Sequence, residues 1–312
     1  KTQKEHTIIN DREELLRVFN KNKDSVWVGY NIRGYDQWIL KAIVAGVDPC
    51  KVSDMLIEHK VSGWKIDRKL HKIPLYIFEI SDTYRSLKEL ELFMGEDIRE
   101  STVDFNLNRY PNNKEIDELV SYCMHDVKMT FKVFEQVYYR YEAQIGLIEY
   151  FNLDSSMINK TEAQLSSYIL QAKKPNYERN DTKDFRIIDT LNLNKYKYIK
   201  NWYEGYNNRD FKKYLRVKYE AHDFIVNSDV SSFYPSIMIE YGLLSRNVKK
   251  PEKYKEIRDT RIKFKKENNP IEKSLKIVLN SAYGACLDVN NELYDPQQGT
   301  AICVNGQLLL LD

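Results

Sequence analysis

The hydrophobic pattern opens on a short β-branched and aromatic stretch, Ser25-Val26-Trp27-Val28-Gly29-Tyr30, which predicts a strand. A turn through Arg33-Gly34 leads into helical spacing from Asp36 to Ala45, with Gly46 placed to end it. Residues Lys114 to Tyr141 keep helical periodicity without a proline or glycine and predict one long helix. Strand, turn, helix and long helix together predict an α/β layer in the first half. From Asn152 to Arg216 the chain is polar, tyrosine-rich and poorly periodic, which reads as connecting structure with a few helices such as Lys160 to Gln171. Phe224 to Val230 then predicts a strand that meets a turn at Ser231–Phe233. Pro235 suits the first turn of a short helix that Gly242 ends. Two further helices, about Glu252 to Glu267 and Pro270 to Tyr283, are joined by Asn268-Asn269 and make a helical hairpin.

Composition changes this picture little. The chain of 312 residues has room for two domains, and 42% hydrophobic with 30% charged residues describes an ordinary globular protein. The longest aliphatic run, Leu308 to Leu311, is far too short to span a bilayer. No basic-then-apolar leader opens the sequence. Cys50, Cys123, Cys286 and Cys303 lie far apart with no CxxC pair, which fits reduced thiols and a cytoplasmic location rather than a zinc site or disulfide framework. Charge is more informative. The net value is only +2, yet Arg246 to Lys276 holds twelve Lys/Arg against five Asp/Glu. A basic segment on a near-neutral chain points to a polyanionic ligand, although a solvated helix face has the same composition.

Two strings carry candidate chemistry. In Asp229-Val230-Ser231-Ser232-Phe233-Tyr234-Pro235-Ser236, an acid ends a strand and backbone amides turn into a helix N-terminus. A carboxylate there offers hard oxygen ligation to Mg²⁺, and the amides with the helix dipole can receive phosphate oxygens. In Lys276-Ile277-Val278-Leu279-Asn280-Ser281-Ala282-Tyr283-Gly284, the residues Lys276, Asn280 and Tyr283 share one helix face. Leu275, Val278, Leu279 and Ala282 form a neighbouring apolar face. In the preceding helix Arg261 and Lys265 stand four residues apart, with Arg258 one turn earlier. In the first half, Tyr122 and Asp126 share a face of the long helix, so a phenol and a carboxylate can address one water.

In this order the two strings resemble the polymerase motifs of the family B DNA polymerases, Asp-x-x-Ser-Leu-Tyr-Pro-Ser and Lys-x-x-x-Asn-Ser-x-Tyr-Gly, with Phe233 in place of leucine. Upstream, Asn31-Ile32-Arg33-Gly34-Tyr35-Asp36 is similar to the family's second exonuclease motif, and Tyr122-Cys123-Met124-His125-Asp126 to its third. The resemblance implies an α/β plus α+β fold. A ribonuclease-H-like exonuclease domain would cover 1–145 and a connecting region 146–215. A partial palm would cover 216–312, with short two-helix fingers at about 245–284. It implies a DNA-directed DNA polymerase with 3′→5′ proofreading that uses Mg²⁺, or Mn²⁺, in two-metal sites. The partners would be primer–template DNA, deoxynucleoside triphosphates and a processivity factor of unknown identity, with no membrane.

The resemblance also distributes roles. Asp229 would ligate the catalytic metals of synthesis. Ser232, Phe233 and Tyr234 would contact the nucleotide, with the Tyr234 ring as a gate against a ribose 2′-hydroxyl. Arg261, Lys265 and Lys276 would meet its phosphates, and Asn280 would lie against it. Tyr283 and Gly284 would touch DNA. Asp36 and Asp126 would ligate the metals of hydrolysis, Tyr122 would position the nucleophile, and Asn31 would touch DNA.

Some family features are missing. An Asp-x-Glu on a strand should precede Asn31; Asp11-Arg12-Glu13 fits the spacing but opens a polar, helical stretch and reads as spurious. An Asp-x-Asp motif should follow Gly306–Asp312. The chain, which opens on Lys1, is therefore expected to be a central piece of a longer protein and nearly inactive alone. Tyr219-Glu220-Ala221-His222 lacks the glycines of the family's linker, and the 39 residues between Ser236 and Lys276 leave no space for the extra subdomain of protein-primed relatives. Two other readings stay open. A stand-alone ribonuclease-H-like exonuclease would leave Asp229, Tyr234, Lys276 and Asn280 without purpose. A catalytically dead nucleic-acid-binding remnant has the intact Asp36, Asp126 and Asp229 against it.

Overall fold

The computed structural model describes residues 6–81, 85–104, 107, 109–175, 185–193, 197–199 and 232–310. Asp229, the strand expected over Phe224–Val230, Ser231 and the Tyr219–His222 string lie outside the described residues. The chain divides into two compact units, Lys1–Ile145 with Asp154–Asn159, and Gly146–Leu153 with Lys160–Asp312.

The first unit is built on two parallel strands, β1 (Val26–Gly29) and β2 (Tyr76–Glu79), in register Val26 to Tyr76 through Gly29 to Glu79. Helices α1 (Arg12–Lys21), α2 (Asp36–Ala45), α3 (Pro49–Ile57), α4 (Arg68–His71) and α5 (Leu87–Phe93) surround them, and α6 (Asn113–Tyr150) follows. Asp11 caps α1 by accepting from Glu14 N at 2.9 Å, so the Asp11-Arg12-Glu13 string is a helix start and not a metal-bearing strand. Helix α2 has the expected bounds and ends at Gly46 with φ 70°. Phe19, Ile32, Leu75 and Ile77 form one buried cluster, and Ala42, Val52 and Leu70 a second. Phe78 packs edge-on against Tyr141 and Phe134 of α6, with ring centroids 5.2 and 6.3 Å apart. The edge of β2 is closed by one side chain. Asn159 Oδ1 accepts from Ile77 N at 2.6 Å and Asn159 Nδ2 donates to Leu75 O at 3.0 Å, which stands in for a neighbouring strand.

The second unit is helical among the described residues: α7 (Glu162–Ile169), α8 (Phe233–Glu240), α9 (Pro251–Lys266), α10 (Ile271–Leu287) and α11 (Pro296–Leu309). Thr161 opens α7 with a capping box to Gln164. Helices α9 and α10 are the expected hairpin, and α10 packs against α7, α9 and α11. It runs beyond Tyr283 because Ala285 and Cys286 are buried. Helix α6 likewise outruns the expected Tyr141, since Ala143, Leu147 and Ile148 extend its apolar side into buried surroundings. Helix α11 was not legible in the sequence. Its Asn305 is fully buried, accepts from Ile188 N at 2.7 Å and donates to Arg186 O at 2.8 Å, so it holds a distant backbone segment.

Asp295, fully buried at the start of α11, receives Arg246 Nε at 2.9 Å, Nη2 at 2.6 Å and the Arg246 amide at 2.9 Å. Removing the guanidinium leaves a buried carboxylate without its charge partner. Arg246→Ala should therefore cost about 3–5 kcal/mol in chemical denaturation. A loss within the range of an exposed ion pair, about 1 kcal/mol or less, would show that water replaces the arginine.

Candidate nucleotide and nucleic-acid site

An open pocket of about 460 Å³ in the second unit is lined by Ser232, Phe233 and Tyr234 from the start of α8, Arg261 and Lys265 from α9, and Lys276, Asn280 and Tyr283 from α10. The apolar face of α10, with Leu275, Val278, Leu279 and Ala282 buried, turns Lys276, Asn280 and Tyr283 to the pocket side. Ser232 has left-handed backbone, φ 54° and ψ 40°, an uncommon conformation for a residue with a Cβ. It turns the chain into α8 and leaves the Phe233 and Tyr234 amides as first-turn donors without helical partners.

Arg261 holds this turn. Its Nη1 donates to Ser232 Oγ at 2.7 Å, and its Nε faces Glu272 Oε2 at 3.4 Å. That second contact is an ion pair without hydrogen-bond geometry, since both atoms are buried and make no hydrogen bond. Lys265 and Lys276 are exposed and form no ion pair among the described residues. Among the described residues three cations and no carboxylate line the pocket, so its described lining is basic. Arg258 does not join them; it pairs with Glu240 at 3.2 Å and Asp259 at 2.9 Å. Gly284 is exposed and outside the lining, with nothing within 4 Å of the position a Cβ would take.

The rings form the floor. Tyr234 lies 4.9 Å from Tyr283, tilted by 54°, and stacks on Phe233 at 5.9 Å. Gly306 of α11 permits this, because a Cβ there would approach the Tyr234 ring to 3.0 Å. Burial, together with Cys303, pushes the Tyr234 phenol up. Burial, Cys303 and Tyr234 push Tyr283 up to about 12.

In the first unit burial and then the neighbouring Asp126, one turn of α6 away, push the Tyr122 phenol up. Asp126 is also paired with Lys88 Nζ at 2.8 Å, and the same ammonium lies 4.9 Å over the Tyr122 ring. Burial pulls Lys88 down, but Asp126 and Glu91 outweigh it and raise the group. Asp36 is exposed by area yet crowded by protein; desolvation, reinforced by the charge of Glu79, pushes its carboxyl above the ordinary range. Burial raises the Cys123 thiol, and both Asp126 and Asp36 add to it, so the two acids act on one neighbour. Asn31 is left-handed, φ 54°, and its amide donates to Glu79 Oε1 at 2.8 Å.

Sequence reasoning missed Lys88 and Glu79. Ser86 and Glu89 do form a capping box that marks the start of α5 with Lys88 in its first turn, but nothing local aims Lys88 at Asp126. Glu79 ends β2 and accepts from the amides of Asn31, Arg33 and Ser81 at 2.8, 3.0 and 2.9 Å.

No family model, curated protein or solved structure matches the chain. Among the described residues no helix is long and apolar enough to cross a membrane, and no group of three or more His, Cys, Asp or Glu is arranged to hold a metal ion.

The Tyr283 shift predicts a pH window. An unfolded tyrosine ionises near 10.0, whereas the folded one waits until about 12. The stabilisation is complete below pH 10 and is lost as pH rises toward 12. Tyr283→Phe should flatten the fall of Tm over that interval and remove a late step in tyrosinate absorbance. An unchanged profile would mean that Tyr283 ionises as an ordinary phenol.

Proposed function

We propose that this chain works as part of a template-directed DNA polymerase with a 3′→5′ proofreading exonuclease, the first unit serving hydrolysis and the second synthesis. The observation that carries the reading is the pocket at the start of α8. Ser232, Phe233, Tyr234, Arg261, Lys265, Lys276 and Asn280, each read from sequence as nucleotide-contacting, all line it. A deoxynucleoside triphosphate fits its chemistry. Arg261, Lys265 and Lys276 oppose the phosphates, the first-turn amides of α8 donate to a phosphate oxygen, and the Tyr234 ring offers a flat surface to the sugar. Asn280 and Tyr283 flank the base and the DNA beside it. Gly284 leaves open space on that side.

In the first unit Asp36 and Asp126 are the proposed ligands of Mg²⁺ or Mn²⁺. Burial raises the Asp36 carboxyl and the charge of Glu79 adds to it, a cost that a divalent cation would relieve. Such an ion supplies an activated water and neutralises charge on the scissile phosphate. With the ion bound, Tyr122 would orient the water, Lys88 would hold Asp126, and Asn31, on the turn that precedes Asp36, would meet the DNA end. Asp229 has the corresponding role in synthesis. The ribonuclease-H-like and palm folds, primer–template DNA as partner, and a cytoplasmic setting belong to the same proposal.

Titrating the chain with deoxynucleoside and ribonucleoside triphosphates tests it. Lys276→Ala should weaken triphosphate binding about 30-fold or more, equivalent to roughly 2 kcal/mol for a charge-assisted contact. Tyr234→Ala should narrow the preference for the deoxy sugar while the melting temperature stays near that of the wild type. Triphosphate binding that ignores Lys276, or a sugar preference that ignores Tyr234 in a folded variant, would overturn the assignment.

A further inference from the structure

A second open pocket in the second unit, about 860 Å³, shares no residue with the first. Phe151, Tyr168, Lys173, Lys174, Lys249 and Lys253 line it, with Glu292 as the one carboxylate among the described residues. Three separated stretches are laced together beneath it. Ala172 bridges to Val248 in antiparallel fashion, and Lys173 N donates to Asn247 O at 3.0 Å. Asn247 Nδ2 donates to Glu292 O at 3.0 Å and Tyr294 O at 2.8 Å. Lys174 N donates to Glu292 Oε2 at 2.6 Å, and Lys174 Nζ to Val289 O at 2.6 Å. The groove therefore has a hydrogen-bonded floor, and Glu292 is partly occupied by a backbone amide.

The groups left to face a ligand are of two kinds. Lys173 and Lys249 are exposed and form no ion pair among the described residues. Lys253 lies 5.7 Å over the Phe151 ring, and Tyr168 is 55% exposed, a large ring with one face toward water. Four ammonium groups against one carboxylate call for a polyanion. A free tyrosine face beside them calls for a flat apolar group on that polyanion, which inorganic phosphate lacks and a duplex keeps inside its stack.

We propose that this groove binds a single-stranded nucleic-acid segment, with phosphates on Lys173 and Lys249 and a base stacked on Tyr168. The site is separate from the triphosphate pocket and does not depend on the polymerase reading. Fluorescence anisotropy of a labelled oligothymidylate with the purified chain, over a series of KCl concentrations, tests it. The Lys173→Ala/Lys249→Ala variant should bind at least about tenfold more weakly and show a salt slope shallower by about 1.4, two phosphate contacts of about 0.7 each. Tyr168→Ala should weaken binding with the slope unchanged, because stacking releases no counterion. Circular dichroism melts of each variant check that all three exposed side chains leave the fold intact.

Triphosphate binding measured on the same samples separates this site from the first pocket. It should persist in the double lysine variant whether or not Lys276 proves to govern it. Unchanged affinity and slope in the double variant would overturn the proposal. So would oligothymidylate binding lost only on Lys276→Ala, or a duplex bound as tightly with the same dependence on Tyr168.

Discussion

The second unit depends on one buried helix face. Leu275, Val278, Leu279 and Ala282 of α10 are each no more than 1% exposed, and α7, α9 and α11 close around them. The fully buried Tyr254 of α9 adds a polar tie, its hydroxyl donating to Leu279 O at 2.8 Å. Burying these side chains contributes on the order of 1.5–3 kcal/mol for each large one. Because the helix period is rigid, holding that face inward also decides what the adjacent face presents. Lys276, Asn280 and Tyr283 converge on one pocket as a consequence of apolar packing behind them.

Charge in the same unit is arranged with uneven satisfaction. The exposed Arg246 and the fully buried Asp295 form a multiply bonded pair with good geometry, and that pair joins the turn after α8 to the start of α11. Arg261 is satisfied at Ser232 and poorly met at Glu272. An arginine held at one end beside two unpaired lysines suits a site whose electrostatics are completed by an anionic ligand. Two open pockets of this unit hold six of its lysines between them, and both are basic in their described lining.

The first unit makes the chemistry of a strand end. Parallel pairing of β1 with β2 brings Glu79 level with Gly29, and the Glu79 carboxylate then gathers the amides of the turn that follows β1. That turn leads directly into Asp36 at the first position of α2. A carboxylate so placed organises the loop and also adds negative charge beside Asp36, whose carboxyl is raised chiefly by burial and further by Glu79.

Local signals in the sequence determined much of this. Strand β1, helix α2 with its glycine stop, and the α9–α10 hairpin follow from side-chain period, glycine and proline, all of which act within a few residues. The shared faces of Lys276, Asn280 and Tyr283, and of Tyr122 and Asp126, follow from the 3.6-residue turn alone. Tertiary structure decided the rest. Strand β2 is four residues long and becomes a strand by pairing with residues fifty positions earlier. Helix α11 carries two glycines and a buried asparagine, weak helix formers that are retained because Gly306 admits the Tyr234 ring and Asn305 holds the Arg186–Ile188 backbone. Arg258 shares a helix with Arg261, yet Glu240 captures it; Lys88 reaches Asp126 from thirty-eight residues away. Helix period is written in adjacent residues, whereas the partner of a charge is chosen by whichever distant segment the buried core brings beside it.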